Sequence, residues 1–341
     1  MKIIVDAMGG DNAPGEIVRG AIKAASEIKE TVALIGPEEL VRNTLKENGW
    51  QGDNIEIIDA TEVISNHEAP SMAVRKKKDS TIVKGLNLIK SGDGDAFISA
   101  GSTGALLAGG LTTVGRIKGI RRPAIAAWFP KLHNGGATLI LDCGASVESK
   151  PEYLLQNGIM GSIFVSAVND IENPDVRLLN IGAEESKGDE LHKQAYNLLE
   201  ASPLNFCGNI EGRDIIVTDC DVVVSDGFSG NIFLKSSEGT ALAMSDLLKK
   251  KLTEGVLAKA GAVLAYSKLK EIKTAFDYSD VGGAPILGLK APVIKAHGNS
   301  GETEIYYAIM KAIPFVNNNV TKRIEHMIEE SAELFNKEEA E

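Results

Sequence analysis

Only three cysteines occur in this 341-residue chain, and none is spaced to share a metal or to form a Cys-x-x-Cys pair. Cys143, Cys207 and Cys220 therefore read as reduced thiols of a cytosolic protein, not as a disulfide framework. No apolar run approaches the ~20 residues that span a bilayer. The opening MKIIVDAMGG reads as a strand and loop, without the apolar stretch and cleavage site of a secretory signal. Positive charge is short: 36 Lys and Arg face 47 Asp and Glu, a formal net charge of −11, which argues against general nucleic-acid binding. Histidine numbers five, and no cluster of His, Cys and acids has ligand spacing, so no metal is expected. No fixed-period repeat and no low-complexity linker divides the chain. With 43% hydrophobic and 24% charged residues, the expectation is one cytoplasmic globular domain over 1–341.

Strand-like and helix-like stretches alternate almost throughout, the pattern of a three-layer, doubly wound α/β fold with a mostly parallel sheet. Lys2–Val5, Val32–Ile35, Ile55–Ile58, Asp95–Ile98, Ala137–Leu141, Val176–Ile181 and Val222–Val224 read as strands. Glu16–Lys29 reads as a helix, because Ile17, Val18, Ala21, Ile22, Ala25 and Ile28 recur near 3.6-residue spacing. Glu38–Glu47 reads as another, opened by Gly36-Pro37. The basic run Arg75-Lys76-Lys77-Lys78 reads as a solvated helix face.

Most of these strands run into short loops of glycine, hydroxyl and amide residues. They are Asp6-Ala7-Met8-Gly9-Gly10-Asp11, Ser99-Ala100-Gly101-Ser102-Thr103-Gly104, Asp142-Cys143-Gly144-Ala145-Ser146, Gly182 to Gly188, and Ser225-Asp226-Gly227-Phe228-Ser229-Gly230-Asn231. Gly282-Gly283-Ala284-Pro285 and His297-Gly298-Asn299-Ser300-Gly301 follow near the end. None is Gly-x-Gly-x-x-Gly or a Walker loop. Each taken alone is an ordinary turn. Together, at the carboxyl edge of an open sheet, they point to an extended site for a phosphorylated or otherwise anionic ligand.

Residues 236–276 read as a helical hairpin. Leu242, Leu247, Leu248 and Leu252 line its first part, and Gly255 to Tyr266 is an apolar, glycine-bounded tip. Lys249, Lys250, Lys251, Lys259, Lys268, Lys270 and Lys273 face only Glu254 and Glu271 across this stretch, a local excess of basic charge. Two compatible readings follow: a helical pair packed on the core or on a second subunit, and a basic-flanked hairpin whose Val256, Leu257, Val263 and Leu264 touch an anionic membrane surface.

From about residue 1 to 315 the motifs taken in order resemble the acyl-acyl carrier protein:phosphate acyltransferases of bacterial phospholipid synthesis, the PlsX type. The resemblance rests on Asp6 to Asp11, Ser99-Ala100-Gly101 with Thr103-Gly104-Ala105, Asn180-Ile181-Gly182 with Glu184 and Lys187-Gly188, and Gly208 to Asp214. It continues through Asp226-Gly227-Phe228 with Gly230-Asn231, and Gly282 to Pro285 followed by His297-Gly298. Ser102 and Ser146 depart from it, standing where the family usually carries Asn; serine keeps a hydrogen-bonding oxygen but loses reach and the amide donor.

The resemblance implies attack of inorganic phosphate on the thioester of a long-chain acyl carrier protein, giving acyl phosphate and free carrier thiol. It also implies a homodimer with the Rossmann-like fold of phosphate acetyltransferases and isocitrate/isopropylmalate dehydrogenases, working without a cofactor. The residues suit that chemistry, since phosphate is itself a nucleophile and no Ser-His-Asp relay is required. Asp6, Gly9, Gly10, Ser99, Gly101, Ser102, Thr103, Asp226, Gly227, Ser229 and Gly230 are the candidates for the phosphate site. Lys187 is either an exposed loop lysine or a point charge for phosphate, and Asn231 either a helix cap or an oxyanion donor. His297 is the candidate proton donor, and His67, His133, His192 and His326 read as surface or packing residues. Two alternatives share the fold: a phosphotransacetylase-like transferase acting on acyl-coenzyme A, and an NAD-dependent dehydrogenase.

Overall fold

The computed structural model describes residues 1–132, 135–275, 282–332 and 334; His133 and residue 276 of the expected hairpin lie outside them. The first half carries β1 (Lys2–Asp6), α1 (Gly15–Glu27), β2 (Thr31–Gly36), α2 (Glu38–Glu47), β3 (Ile55–Asp59), α3 (Pro70–Lys76), α4 (Thr81–Ser91), β4 (Ala96–Ser99) and α5 (Thr103–Gly109). A single π-helical turn, Gly110–Val114, extends α5. Next come β5 (Ala124–Ile125), β6 (Ala127–Pro130), β7 (Ala137–Leu141), α6 (Pro151–Asn169), β8 (Val176–Asn180), α7 (Glu190–Glu200), β9 (Phe206–Glu211) and β10 (Val222–Val224). The last third holds α8 (Gly227–Thr253), α9 (Val256–Leu264), α10 (Tyr266–Ala275), β11 (Ala284–Leu287), β12 (Val293–Lys295), α11 (Glu302–Asn317) and α12 (Val320–Glu330).

A mostly parallel α/β fold is what these elements build, but the strands divide between two sheets. The seven-stranded sheet runs β3-β2-β1-β4-β12-β11-β5, with β11 antiparallel to both neighbours. The five-stranded sheet runs β6-β7-β10-β8-β9, with β6 antiparallel. The chain leaves the first sheet at Ile125, enters the second at Ala127, and returns late to insert β11 and β12 beside β4. Nothing in a short apolar run names its partner strand, which is why the division is invisible in the sequence.

Covering helices explain the uninterrupted apolar strands. Ile3, Val5, Val32, Leu34 and Ile98 pack in one cluster with α1 and α11, whereas Ile4, Ala33, Ile35 and Phe97 pack in another with α3, α4 and α5. This alternation places the two faces of the seven-stranded sheet against two helical layers. Helix α6 buries residues on every side, from Leu154 to Ala167, because it contacts β7, β10, α7, α11 and α12 together.

Helix α8 behaves otherwise. It runs unbroken through the expected start of the hairpin at 236, and only Gly227 and Gly230 of its 27 residues are buried. Its Phe228, Ile232, Leu242, Met244, Leu247 and Leu248 are exposed. In α9, which forms the tip, Val256, Leu257, Val263 and Leu264 are 75–90% exposed, so the tip does not pack on its own core. Among the described residues, no helix is long and apolar enough to cross a membrane.

Candidate active site

Three loops at the carboxyl edge of the seven-stranded sheet close on one another. The register pairs Val5 with Ile98 and Lys295 with Ser99, so the ends of β1, β4 and β12 deliver Asp6, Ser99 and Lys295 in one row. The Ser99 hydroxyl donates to Asp6 Oδ2 at 2.7 Å and accepts from the Gly101 N–H at 3.0 Å. The Asp11 N–H donates to the Gly298 carbonyl at 2.7 Å, and the Asn12 amide donates to the Asn299 carbonyl at 2.9 Å. Gly10 sits at φ +91°, and a β-carbon there would lie 2.7 Å from the Gly298 carbonyl oxygen, so only glycine permits this loop-to-loop contact. Ser102 caps α5 by accepting from the Ala105 N–H, a role that serine fills without the reach of asparagine.

Asp6 is fully buried at this edge. Burial pushes its carboxyl above the usual carboxylate range, against the bonds from Ser99 and the Met8 N–H that favour ionisation. Lys295 places Nζ 3.4 Å from the Ala100 carbonyl and also donates to the Ala296 carbonyl. Burial lowers its pKa to about 8, with Lys235 of α8 adding to the effect and Asp11 and Asp6 opposing it. His297 is exposed, its Nδ1 2.6 Å from Asn299 Oδ1, an acceptor that requires the proton on Nδ1.

The second group lies at the carboxyl ends of the five-stranded sheet. Asp142, after β7, is buried and is the hub: Oδ1 accepts from the N–H of Ile125, Gly144 and Ala145, and Oδ2 from that of Ser146 at 2.8 Å. The Ile125 bond ties the end of one sheet to the other. Burial raises the Asp142 carboxyl's pKa, while these four donors pull the other way. The start of α8 lies directly on this loop. A β-carbon on Gly227 would sit 2.1 Å from the Ser146 carbonyl oxygen, and one on Gly230 2.1 Å from that of Asp142. The glycines of the Ser225–Asn231 loop thus admit protein backbone. Asp226 caps the helix, accepting from Phe228 and Ser229 N–H at 3.0 and 2.9 Å, so in this structure those two donors are already engaged. Asn231 is not the cap; it lies one turn into α8, packed against Gly144.

Lys187 is exposed on the loop between β8 and α7. Asn180 and Asn209 shape that loop: Asn180 donates to the Lys187 carbonyl at 3.2 Å, and Asn209 to the Glu184 carbonyl at 2.8 Å. The Asn-x-Gly and Gly-Asn-Ile motifs are therefore loop supports. His192, read from sequence as a surface or packing residue, has 16% of its side chain exposed, with Nδ1 2.6 Å from Asp189 Oδ1 and Nε2 3.8 Å from Asp226 Oδ2. Sequence reading also passed over Lys295 and the role of Asp142. For Asp142 a signal existed, since it opens a glycine loop after a buried strand; for Lys295, at the end of a three-residue strand, there was none. His67 and His326 are exposed, as expected. Among the described residues, no three His, Cys, Asp or Glu side chains group closely enough to hold a metal.

The fold that carries these loops has a solved counterpart. A phosphotransacetylase from Streptococcus pyogenes superposes with a TM-score of 0.61 at 20% identity, over 95% of this chain and 94% of that one, which is a likeness of fold. Two curated bacterial proteins carry the likeness into sequence, both called phosphate acyltransferase. That of Thermoanaerobacter pseudethanolicus is 48% identical over 330 residues, 96% of this chain and 98% of its own. That of Thermoanaerobacterium thermosaccharolyticum is 48% identical over 329 residues, 96% and 97% respectively. Residues 1–323 match the family described as fatty acid synthesis protein, a span that takes in every loop of both groups, and the chain belongs to that family.

Proposed function

We propose that this acyltransferase moves a long-chain acyl group from the thioester of acyl carrier protein to inorganic phosphate, releasing acyl phosphate and the free carrier thiol. The observation that carries the reading is the row Asp6, Ser99, Lys295 at an edge built of backbone-packed glycine loops. An anionic nucleophile that needs no activating relay suits such a site. A phosphate oxygen forms the new bond to the carbonyl carbon as the C–S bond breaks, and the electron pair leaves on sulfur. A thiol pKa of ~8.5 lets the thiolate leave with little help.

The work left to the protein is alignment and charge stabilisation. The loops of Asp6–Gly10 and Ser99–Thr103 shape the phosphate end. Asn231, against Gly144, supplies an amide donor for the carbonyl oxygen, and Lys187 adds positive charge from the rim. As an imidazolium, His297 gives a proton to the departing sulfur from Nε2 while its Nδ1–H donates to Asn299 Oδ1. Neither metal nor nicotinamide enters, and the dehydrogenase alternative has no hydride to move in this reaction.

An apolar stripe along α8, left bare by its own chain, suits a second copy in a homodimer. The exposed α9 tip with its flanking lysines suits reversible contact with the anionic inner face of the cell membrane, the enzyme being otherwise cytoplasmic. Acyl phosphate is amphipathic and hydrolysis-prone, so delivery beside a membrane glycerol-3-phosphate acyltransferase fits the product. Acyl carrier protein and coenzyme A present the same pantetheine arm, and rates separate them. Thioesters of one acyl chain on each carrier, compared by kcat/KM at fixed phosphate, should favour the protein carrier by at least about tenfold. Equal or higher values on coenzyme A would make the chain a phosphotransacetylase-like enzyme instead.

A further inference from the structure

Lys295 occupies a position that costs free energy unless something is gained from it. Removing an ammonium from water is unfavourable without an anionic partner, yet among the described residues Lys295 forms no salt bridge. Its two recorded acceptors are neutral carbonyls, Ala100 O and Ala296 O, one from the β4 loop and one from its own strand end. An ammonium has three N–H donors, and the third has no partner among the described residues. The two carbonyls fix the position of the charge. Register fixes its neighbours, since Lys295 pairs with Ser99, whose hydroxyl is bonded to Asp6.

A second cation comes from helix α8, which follows β10 of the other sheet. Lys235 lies one turn beyond Asn231 on α8, close enough for its charge to act on Lys295. Lys235 is balanced on its own helix by Glu238 at 2.7 Å, and its side chain is more than half exposed, so it is free to turn toward an anion. Asp11 and Asp6 are the acidic groups whose charge reaches Lys295. We infer that Lys295 is the group that grips the phosphate nucleophile, with Lys235 closing on the same anion from α8. The inference rests on the phosphate acyltransferase reading and replaces the exposed Lys187 as the principal phosphate ligand.

The test uses the full-length protein, inorganic phosphate as the probe, and Lys295→Met, Lys295→Arg and Lys235→Met. Melting in phosphate-free buffer first establishes that each variant folds. Lys295→Met should raise the phosphate KM at least about tenfold and leave the thioester KM within about twofold, Lys295→Arg should recover most of the loss, and Lys235→Met should raise the phosphate KM by a smaller factor. Phosphate should raise the melting temperature of wild type and Lys295→Arg but not of Lys295→Met. A folded Lys295→Met with wild-type phosphate KM and thermal shift overturns the inference, as does a loss confined to the thioester KM. If Lys295→Met does not fold, Lys295→Gln takes its place under the same criteria. Wild type that shows the phosphate shift through Lys295 but no phosphate-dependent thiol release would reject the activity and keep the site. Thiol release indifferent to Lys295 would keep the activity and reject the site.

Discussion

Two glycines on one helix should respond in opposite ways to the same methyl group. Gly230 and Gly239 both lie within α8, where Ala is intrinsically favoured over Gly by ~1 kcal/mol. A β-carbon at Gly239 meets nothing within 4 Å, so Gly239→Ala should stabilise by about 0.5–1 kcal/mol. At Gly230 it would sit 2.1 Å from the Asp142 carbonyl oxygen and 3.1 Å from Ser225 Oγ. Ordinary contact needs more than ~1 Å of extra room, taken either by lifting α8 or by displacing the loop that Asp142 holds with three hydrogen bonds. Overpacking of this kind costs ~1–3 kcal/mol, which outweighs the propensity gain and leaves Gly230→Ala less stable than wild type. Because Asn231 and Lys235 ride on the displaced turn, activity should fall further than stability, by up to ~100-fold for a 1 Å misplacement. Urea unfolding of both variants, with turnover measured on each, reads the two effects. If both alanines stabilise alike and both retain full turnover, α8 is not seated on the Asp142 loop and the account of the site's geometry fails.

Three other perturbations test separate parts of the site. Lys187→Ala should keep the fold and cut turnover about tenfold, ~1.4 kcal/mol of transition-state stabilisation; undiminished turnover in the folded variant would reduce Lys187 to a loop residue. Burial, helped by Lys235 and opposed by Asp11 and Asp6, holds the Lys295 pKa at about 8, below the ordinary 10.5, so it is charged below that pH and neutral above; kcat/KM for phosphate should therefore fall as pH rises through about 8, an effect absent in Lys295→Arg. Burying the tip residues Val256, Leu257, Val263 and Leu264 in a membrane interface contributes at most ~1.5–3 kcal/mol each, and each nearby lysine ~1 kcal/mol, enough for reversible adsorption. Charged substitutions at Val256, Leu257 and Leu264 should release the protein from anionic vesicles and spare catalysis on soluble substrate, and undiminished co-sedimentation would place the tip elsewhere.

The strands most legible in the sequence are continuous apolar runs, although the partly exposed Ile55–Ile58 and Val176–Asn180 were legible too. Ala137–Leu141 and Val222–Val224 stand out as continuous apolar runs because helices cover both sides of the sheet. Phe206–Glu211 mixes Cys, Gly, Asn and Glu, and Val293–Lys295 is three residues long, so neither carries a periodic signal. The Ser225–Asn231 stretch read as a loop before a helix from Ile232, whereas α8 already starts at Gly227, because Gly227 and Gly230 let its first turn seat on the Asp142 loop. The loops were correctly located at strand ends, but glycine spacing cannot say whether the close neighbour is a ligand or protein backbone. At Gly227 and Gly230 it is backbone. Lys295 was unreadable for a different reason: its burial and its like-charged neighbour Lys235 depend on a strand insertion and a second sheet that only the folded chain brings together.

The most direct measurement follows thiol release and acyl phosphate together. The protein is incubated with long-chain acyl carrier protein thioester and varied phosphate, with a chelator present and no nicotinamide, and acyl phosphate is trapped as its hydroxamate. Thiol and hydroxamate should appear in equal amounts, both saturating with phosphate and both absent without it. Thiol release that proceeds at the same rate without phosphate, or that yields free fatty acid in place of acyl phosphate, would contradict the account.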